Sequence, residues 1–192
     1  QEEGADFQMV LIDELTNEIV VPNGTMGERH TNPQKWNLRL ENRDTGAKID
    51  PRLSVFDQRE DVTIVKLPYF GDEEHEGVIE RAIPTITVQT ADGPVKVTTV
   101  YDLILANYGI DRGIGGEVAT SYTDDTPYTP TWQEKITGVK ADIAIATARE
   151  FADNAEKTKG RSMIIMGGGI NHWYHADVIY RTILNLIMFC GT

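Results

Sequence analysis

The sequence predicts an α/β fold, and three observations predict it. The first half carries short runs of alternating apolar and polar residues between turn signals, the period of half-buried strands. The second half changes to a helical period, with Ile143, Ala146, Thr147 and Phe151 on one stripe. Near the end, an apolar run at residues 162–166 leads straight into Gly167, Gly168 and Gly169 and then a long apolar helix. Helix, strand, glycine turn, helix is a piece of a parallel sheet with crossover helices. The expected division is a β-hairpin-rich part at residues 1–97, an α+β insertion or extension, and an α/β part at residues 98–192.

In chain order, residues 1–6 are acidic and carry no period. Residues 7–12 and 18–21 read as strands, and Val21-Pro22-Asn23-Gly24 as a turn. Residues 26–35 are a polar loop containing His30, and residues 36–40 alternate as a strand does. Residues 53–56 and 62–67 read as strands on either side of the charged stretch 57–61. A loop at 68–76 holds an acidic run and His75; strands follow at 85–89 and 95–100, joined by Ala91-Asp92-Gly93-Pro94. His30 and His75 are lone histidines in polar loops, which reads as solvated surface. Residues 100–108 form a short helix, 109–116 a glycine-rich loop and 119–128 a polar, turn-rich stretch. Asp124 and Asp125 are neighbouring carboxylates in a turn, the usual setting of caps, with Asp125 or Thr126 placed to serve. Helices at 130–137, closed by Gly138, and at 141–154 lead through a basic connection into the final segment.

Composition narrows the function classes. A chain of 192 residues can bury a sizeable core. Its net charge of −12 argues against non-specific nucleic-acid binding and against docking on an anionic membrane surface. Cys190 is the one cysteine, which excludes an internal disulfide, a CxxC pair and a self-contained cysteine cluster. No stretch is long and apolar enough to span a bilayer as a helix. The chain opens on Gln1 and closes directly after its most apolar helix, so it reads as an internal fragment of something longer.

The chemistry concentrates at the glycine turn, which is Rossmann-like in layout. Asn171 is a good N-cap, and a helix is expected from His172 to Phe189. Glycines let the backbone take positive φ and approach a ligand closely, and a helix start behind them is a ready anion site. A GxGxxG fingerprint would need glycine where His172 stands, and a P-loop would need Lys-Ser/Thr; neither is present. Instead His172, Trp173, Tyr174 and His175 fill the expected first turn. These residues alone leave two readings open: a ligand mouth, or a buried strand–turn–helix whose His and Trp are core.

Longer stretches carry a resemblance. YDLILANYGIDRG, ATSYTDDTPYTPTWQEKITGV, AREFADNAEKTKGRSMII and GGGINHWYHAD resemble the catalytic alpha subunit of respiratory nitrate reductase, in the molybdopterin oxidoreductase family. The likeness is dense over residues 98–192 and thins in the hairpin half, where VPNG and KWNL still match. TPTWQEKITGV and the glycine turn are shared across the wider family, whereas Asn-His-Trp-Tyr-His points to nitrate reductase.

The resemblance implies a cofactor of molybdenum held by two molybdopterin guanine dinucleotides. By it, Gly167, Gly168 and Gly169 approach the dinucleotide, and Asn171 and His172 face the pterin and metal site. His172 would act on the pterin's electronics, and Trp173, Tyr174 and His175 would line the pocket. It further implies reduction of nitrate to nitrite and a 4Fe-4S cluster elsewhere in the parent chain. The implied partners are an iron–sulfur beta subunit and a haem-bearing membrane gamma subunit, with the whole on the cytoplasmic face of the membrane. The cluster ligands and the aspartate that binds molybdenum fall outside this chain, so the chain alone is expected to be inactive. Two alternatives remain at this point: a nucleotide-binding or subunit-docking module without redox activity, and a related molybdoenzyme with another substrate.

Overall fold

The computed structural model describes residues 10–23, 39–69 and 77–192. The expectations for residues 1–9, for the loop with His30 and most of the strand after it, and for the acidic run with His75 lie outside these. The protein is mixed α/β, built of small antiparallel sheets and helices. It divides into two compact units, one in Gln1–Pro68 and Val78–Glu117, the other in Tyr69–Gly77 and Val118–Thr192.

The first unit holds every described strand. β1 (Leu11–Ile12) pairs antiparallel with β2 (Ile19–Val20), and β3 (Pro22–Asn23) with β4 (Arg39–Asn42). The turn after β1 is built on Asp13, whose carboxylate accepts from Thr16 Oγ1 at 2.9 Å and from the distant Asp50 N–H at 3.0 Å. The main sheet is β5 (Asp61–Pro68), β6 (Val78–Thr90) and β7 (Gly93–Val97), with β6 in the centre. β6 starts seven residues before the expected strand at 85–89. Glu80, Arg81 and Pro84 interrupt its alternation, yet Ile79 and residues 81–85 are buried.

Pro84 is tolerated in a central strand for a geometric reason. Thr85 C=O and Thr87 N–H face the β5 side, where Glu60 N–H and the Glu60 carboxylate meet them. Even-numbered residues therefore face the opposite edge. There the pairing with β7 begins only at Ile86, opposite Val97, so Pro84 lacks an N–H where no ladder partner waits.

α1 (Val100–Asn107) packs on β6 and starts as a helix should: Thr99 Oγ1 accepts from Asp102 N–H. Residues 53–56, expected as a strand, pair with no strand. Val55 N–H instead donates to the Asp102 carboxylate at 2.9 Å. That carboxylate, 1% exposed, also accepts from Ser54 Oγ at 2.6 Å, Thr99 Oγ1 at 2.7 Å and Arg112 Nη1 at 2.5 Å. The Arg112 guanidinium lies 4.0 Å from the Phe56 ring centre, and that of Arg59 lies 4.3 Å from it. One buried aspartate thus ties a helix start, a loop and an arginine together.

The second unit is helical among its described residues. α2 (Pro130–Thr137) has Thr129 as N-cap, proline in its first turn and left-handed Gly138 at its end. The cap is Thr129, not Asp125 or Thr126. Asp124 instead closes its own turn, accepting from Thr120 N–H at 2.7 Å and Ser121 N–H at 3.0 Å. α3 (Ala141–Thr158) runs one turn beyond the expected end at residue 154. Glu134 joins it to α2 by accepting from Ala141 N–H at 2.8 Å and Lys140 Nζ at 2.6 Å. α4 (Gly168–Asn171) is a single turn, and α5 (Ala176–Cys190) ends the chain. A Cβ on Gly160 would lie 2.1 Å from the Gly191 carbonyl oxygen, so the ends of α3 and α5 touch backbone to backbone.

Two expectations for this unit are corrected. Residues 162–166 form no strand, so among the described residues the Rossmann-like strand–turn–helix and its parallel sheet are not seen. A parallel strand needs a neighbour, and the described residues of this unit contain no other strand. The run keeps an extended, alternating exposure, with Ile165 83% exposed. The expected helix over 172–189 is also broken: residues 172–175 are turns, and the long helix begins at Ala176.

Candidate functional site

The predicted site residues form one continuous exposed stretch. Gly167, Gly168 and Gly169 have no positive φ, so backbone freedom is not why they are glycine. The missing Cβ is the better reason. A Cβ on Gly167 or Gly169 would meet nothing within 4 Å, and one on Gly168 would sit 3.8 Å from His172 Nε2. The triplet presents bare backbone to open space, and the His172 ring folds back beside it. The expected anion site at a long helix start does not arise, because the turn behind the glycines is the four residues of α4.

The chain then reverses twice. Trp173 N–H donates to Ile170 C=O, and Ala176 N–H to Trp173 C=O, both at 3.2 Å. His175 stands in the left-handed region at φ 60°, ψ 29°, and its carbonyl accepts from Val178 and Ile179 N–H. Histidine tolerates that conformation better than most residues. It, not Asn171, is therefore the N-cap position of α5. The break turns the indole and phenol rings outward: Trp173 is 71% exposed and Tyr174 87% exposed. The Tyr174 ring packs against the His175 ring at 4.1 Å between centroids, tilted by 57°. Neither Trp173 nor Tyr174 is buried in this structure, unlike the core placement that the buried strand–turn–helix reading expects.

Asn171 has a partner that sequence spacing hid. Its Oδ1 accepts a hydrogen bond from the Tyr180 hydroxyl. In one continuous helix, nine residues would separate the two by about 13 Å of rise. The break at residues 172–175 folds Tyr180 back to within reach. Nothing in the local pattern marks Tyr180, and only the turn geometry finds it.

The donor set suits an anionic, planar, oxygen-rich group. It offers uncovered backbone at the triplet, amide and imidazole nitrogens at Asn171 and His172, and flat aromatic faces alongside. Among the described residues, no group of three His, Cys, Asp or Glu side chains could hold a metal ion. Asp124 and Asp125 are engaged in turn and ion-pair contacts, the latter with Lys135.

No protein-family model matches the chain. Curated relatives do, and they define a class: alpha subunits of oxyanion reductases. The nitrate reductase alpha chain of Bacillus subtilis is 48% identical over 93% of this chain and 14% of its own length. The respiratory nitrate reductase 1 alpha chain of Escherichia coli is 45% identical over 100% of this chain and 16% of its own length. The perchlorate reductase alpha subunit of Dechloromonas aromatica is 44% identical over 33% of this chain. The chain is a homologue of one segment of the nitrate reductase alpha subunit. It spans about a sixth of the length of the nitrate reductase relatives it matches.

Proposed function

We propose that this chain supplies part of the binding site for molybdenum bis-molybdopterin guanine dinucleotide in the catalytic subunit of a respiratory nitrate reductase. One observation carries the reading. A glycine triplet facing open space leads through Ile170 into exposed Asn-His-Trp-Tyr-His, in a chain homologous to nitrate reductase alpha subunits. Gly167 and Gly169 let the main chain approach the dinucleotide, and Gly168 leaves room for the His172 ring. Asn171 and His172 offer nitrogen donors toward the pterin. Trp173, Tyr174 and His175 form the wall beside it. The chemistry the cofactor supplies when bound is the two-electron reduction of nitrate to nitrite and water. With a single cysteine, this chain cannot hold a 4Fe-4S cluster, so electrons reach the site through other parts of the parent subunit. The partners in this reading are an iron–sulfur beta subunit and a haem-bearing gamma subunit, on the cytoplasmic face of the membrane.

His172→Ala in a whole nitrate reductase alpha subunit tests it. The expected result is loss of molybdenum content or of nitrate-dependent viologen oxidation, with the protein still assembled. Wild-type content and rate together would overturn the reading. The chain by itself is expected to show no nitrate-dependent viologen oxidation. The perchlorate reductase match favours one variation, an oxyanion other than nitrate as substrate. Comparing nitrate, chlorate and perchlorate as oxidants of the whole enzyme decides it.

A further inference from the structure

We infer that Tyr180 is a positioning residue that turns Asn171 into a hydrogen-bond donor toward the bound cofactor. A primary amide is ambivalent: its carbonyl oxygen accepts and its NH2 donates, and the two ends have nearly the same shape. An exposed asparagine can therefore present either end to a ligand. Here the Tyr180 hydroxyl, on the first turns of α5, donates to Asn171 Oδ1. That engages the acceptor end and leaves both N–H donors of Nδ2 for what lies in front of the glycine triplet. The matching ligand atom is an acceptor, the phosphoryl or ring-carbonyl oxygen of a pterin dinucleotide. The bond also spans the break at residues 172–175, so it holds α4 against α5 and fixes where the amide stands. Its reach across that break depends on the left-handed backbone of His175.

The inference rests on the reading that Asn171 faces the cofactor, and the two fail differently. The experiment uses a whole nitrate reductase alpha subunit assembled with its partners. Wild type, Tyr180→Phe, Asn171→Ala and the double variant are compared. The readout is cofactor retention during fixed dialysis, followed as molybdenum by mass spectrometry and as GMP released by acid. One hydrogen bond's worth of positioning predicts about threefold to tenfold faster loss for Tyr180→Phe. Because Tyr180 acts through Asn171, the double variant is expected to lose cofactor no faster than Asn171→Ala alone. Unchanged retention in Tyr180→Phe, or an equal added loss in both backgrounds, would overturn the positioning role while leaving the site reading intact. Wild-type retention in Asn171→Ala would overturn both.

Asn171→Asp keeps an acceptor for Tyr180 but presents a carboxylate instead of donors. It is expected to lose cofactor faster than Asn171→Ala. Retention equal to or better than that of Asn171→Ala would overturn the donor assignment, even if Tyr180→Phe failed to accumulate.

Discussion

The two units spend their residues differently. In the first, Val20, Ile49, Val55, Ile79, Ala82, Ile83 and Ala106 are buried, and so are Asp13, Arg81, Thr85 and Asp102. In the second, the buried residues among those described are Ala155 and Thr129. α5 has no buried residue, although most of its side chains are apolar. The first unit closes a core and satisfies a charge inside it. The second is held by caps, turns, side-chain hydrogen bonds such as those of Glu134 and Tyr180, and a backbone-to-backbone contact of α3 with α5, and leaves Met163, Ile165, Trp173, Tyr174, Leu184 and Met188 outside. The difference separates residues that make a fold from residues that present a surface. Among its described residues the strand-rich unit carries no candidate site, and the candidate site sits where burial is least.

The sharpest way to break that comparison is at Asp102. Burial pushes its carboxyl up, but hydrogen bonds from Ser54, Arg112, Val55 and Thr99 outweigh burial and hold it below the usual carboxylate range. Removing one partner of a buried pair leaves the other charge uncompensated, so Asp102→Ala should cost about 3–5 kcal/mol. Urea unfolding followed by hydrogen exchange of β6 and α1 amides measures it. The pH dependence has a definite sign. A depressed folded pKa means the stability is present above the unfolded value, about 3.9, and is lost as pH falls through the folded value. Asp102→Asn should lack that acid-side loss. If the alanine variant costs under about 1 kcal/mol, below what a broken buried pair demands, the first unit is not organised around its buried charge.

The matching test in the second unit is Gly160→Ala. Gly160 has φ 82°, and its added Cβ would meet the Gly191 carbonyl at 2.1 Å. The left-handed backbone alone costs a non-glycine residue about 1–3 kcal/mol, and the contact adds to that. Exchange of the Gly160 and Thr192 amides, which donate to Ala155 and Ile187 C=O, should quicken first. Little change there would mean that α3 and α5 are not held by this contact.

Much of this was legible in the residues, and the failures have physical causes. Pro130 and Gly138 mark both ends of α2 because each fixes a backbone angle locally. Turn residues 91–94 place the β6–β7 hairpin for the same reason. The first half of β6 escaped because Arg81 lies against a distant residue and Pro84 sits where the neighbouring strand has not yet begun, and neither shows in the local pattern. Arg81 is 1% exposed, with its guanidinium against the backbone of Gly109, where a Cβ would lie 2.7 Å from Nη2. At the site, the residues were legible and the geometry was not. Asn171 looks like a local N-cap, yet the helix starts after His175, whose left-handed backbone no propensity announces. Tyr180 became part of the site only because that break exists. A strand at 162–166 was expected from its apolar run, but strand formation is settled by a neighbour, which a run of five residues cannot specify.

The smallest effects sharpen the comparison most, because they truncate an aliphatic side chain in unequal surroundings. Val55 has 0% exposure and Ile165 83%. Truncating Val55 to Ala removes buried methyl groups and leaves a cavity, at about 1–3 kcal/mol. Ile165→Ser removes more apolar surface, but from water rather than from a core, and should stay within about 0.5 kcal/mol. Exchange-resolved stabilities of the two units provide the measurement. An Ile165→Ser cost as large as that of Val55→Ala would mean the extended run is packed in solution, and the contrast between the units would collapse. The same pair made in a whole nitrate reductase alpha subunit carries the argument further. A cost at Ile165 that appears only there would assign this surface to contact with further protein. A cost absent in both settings would leave the run beside the glycine triplet as open approach to the site.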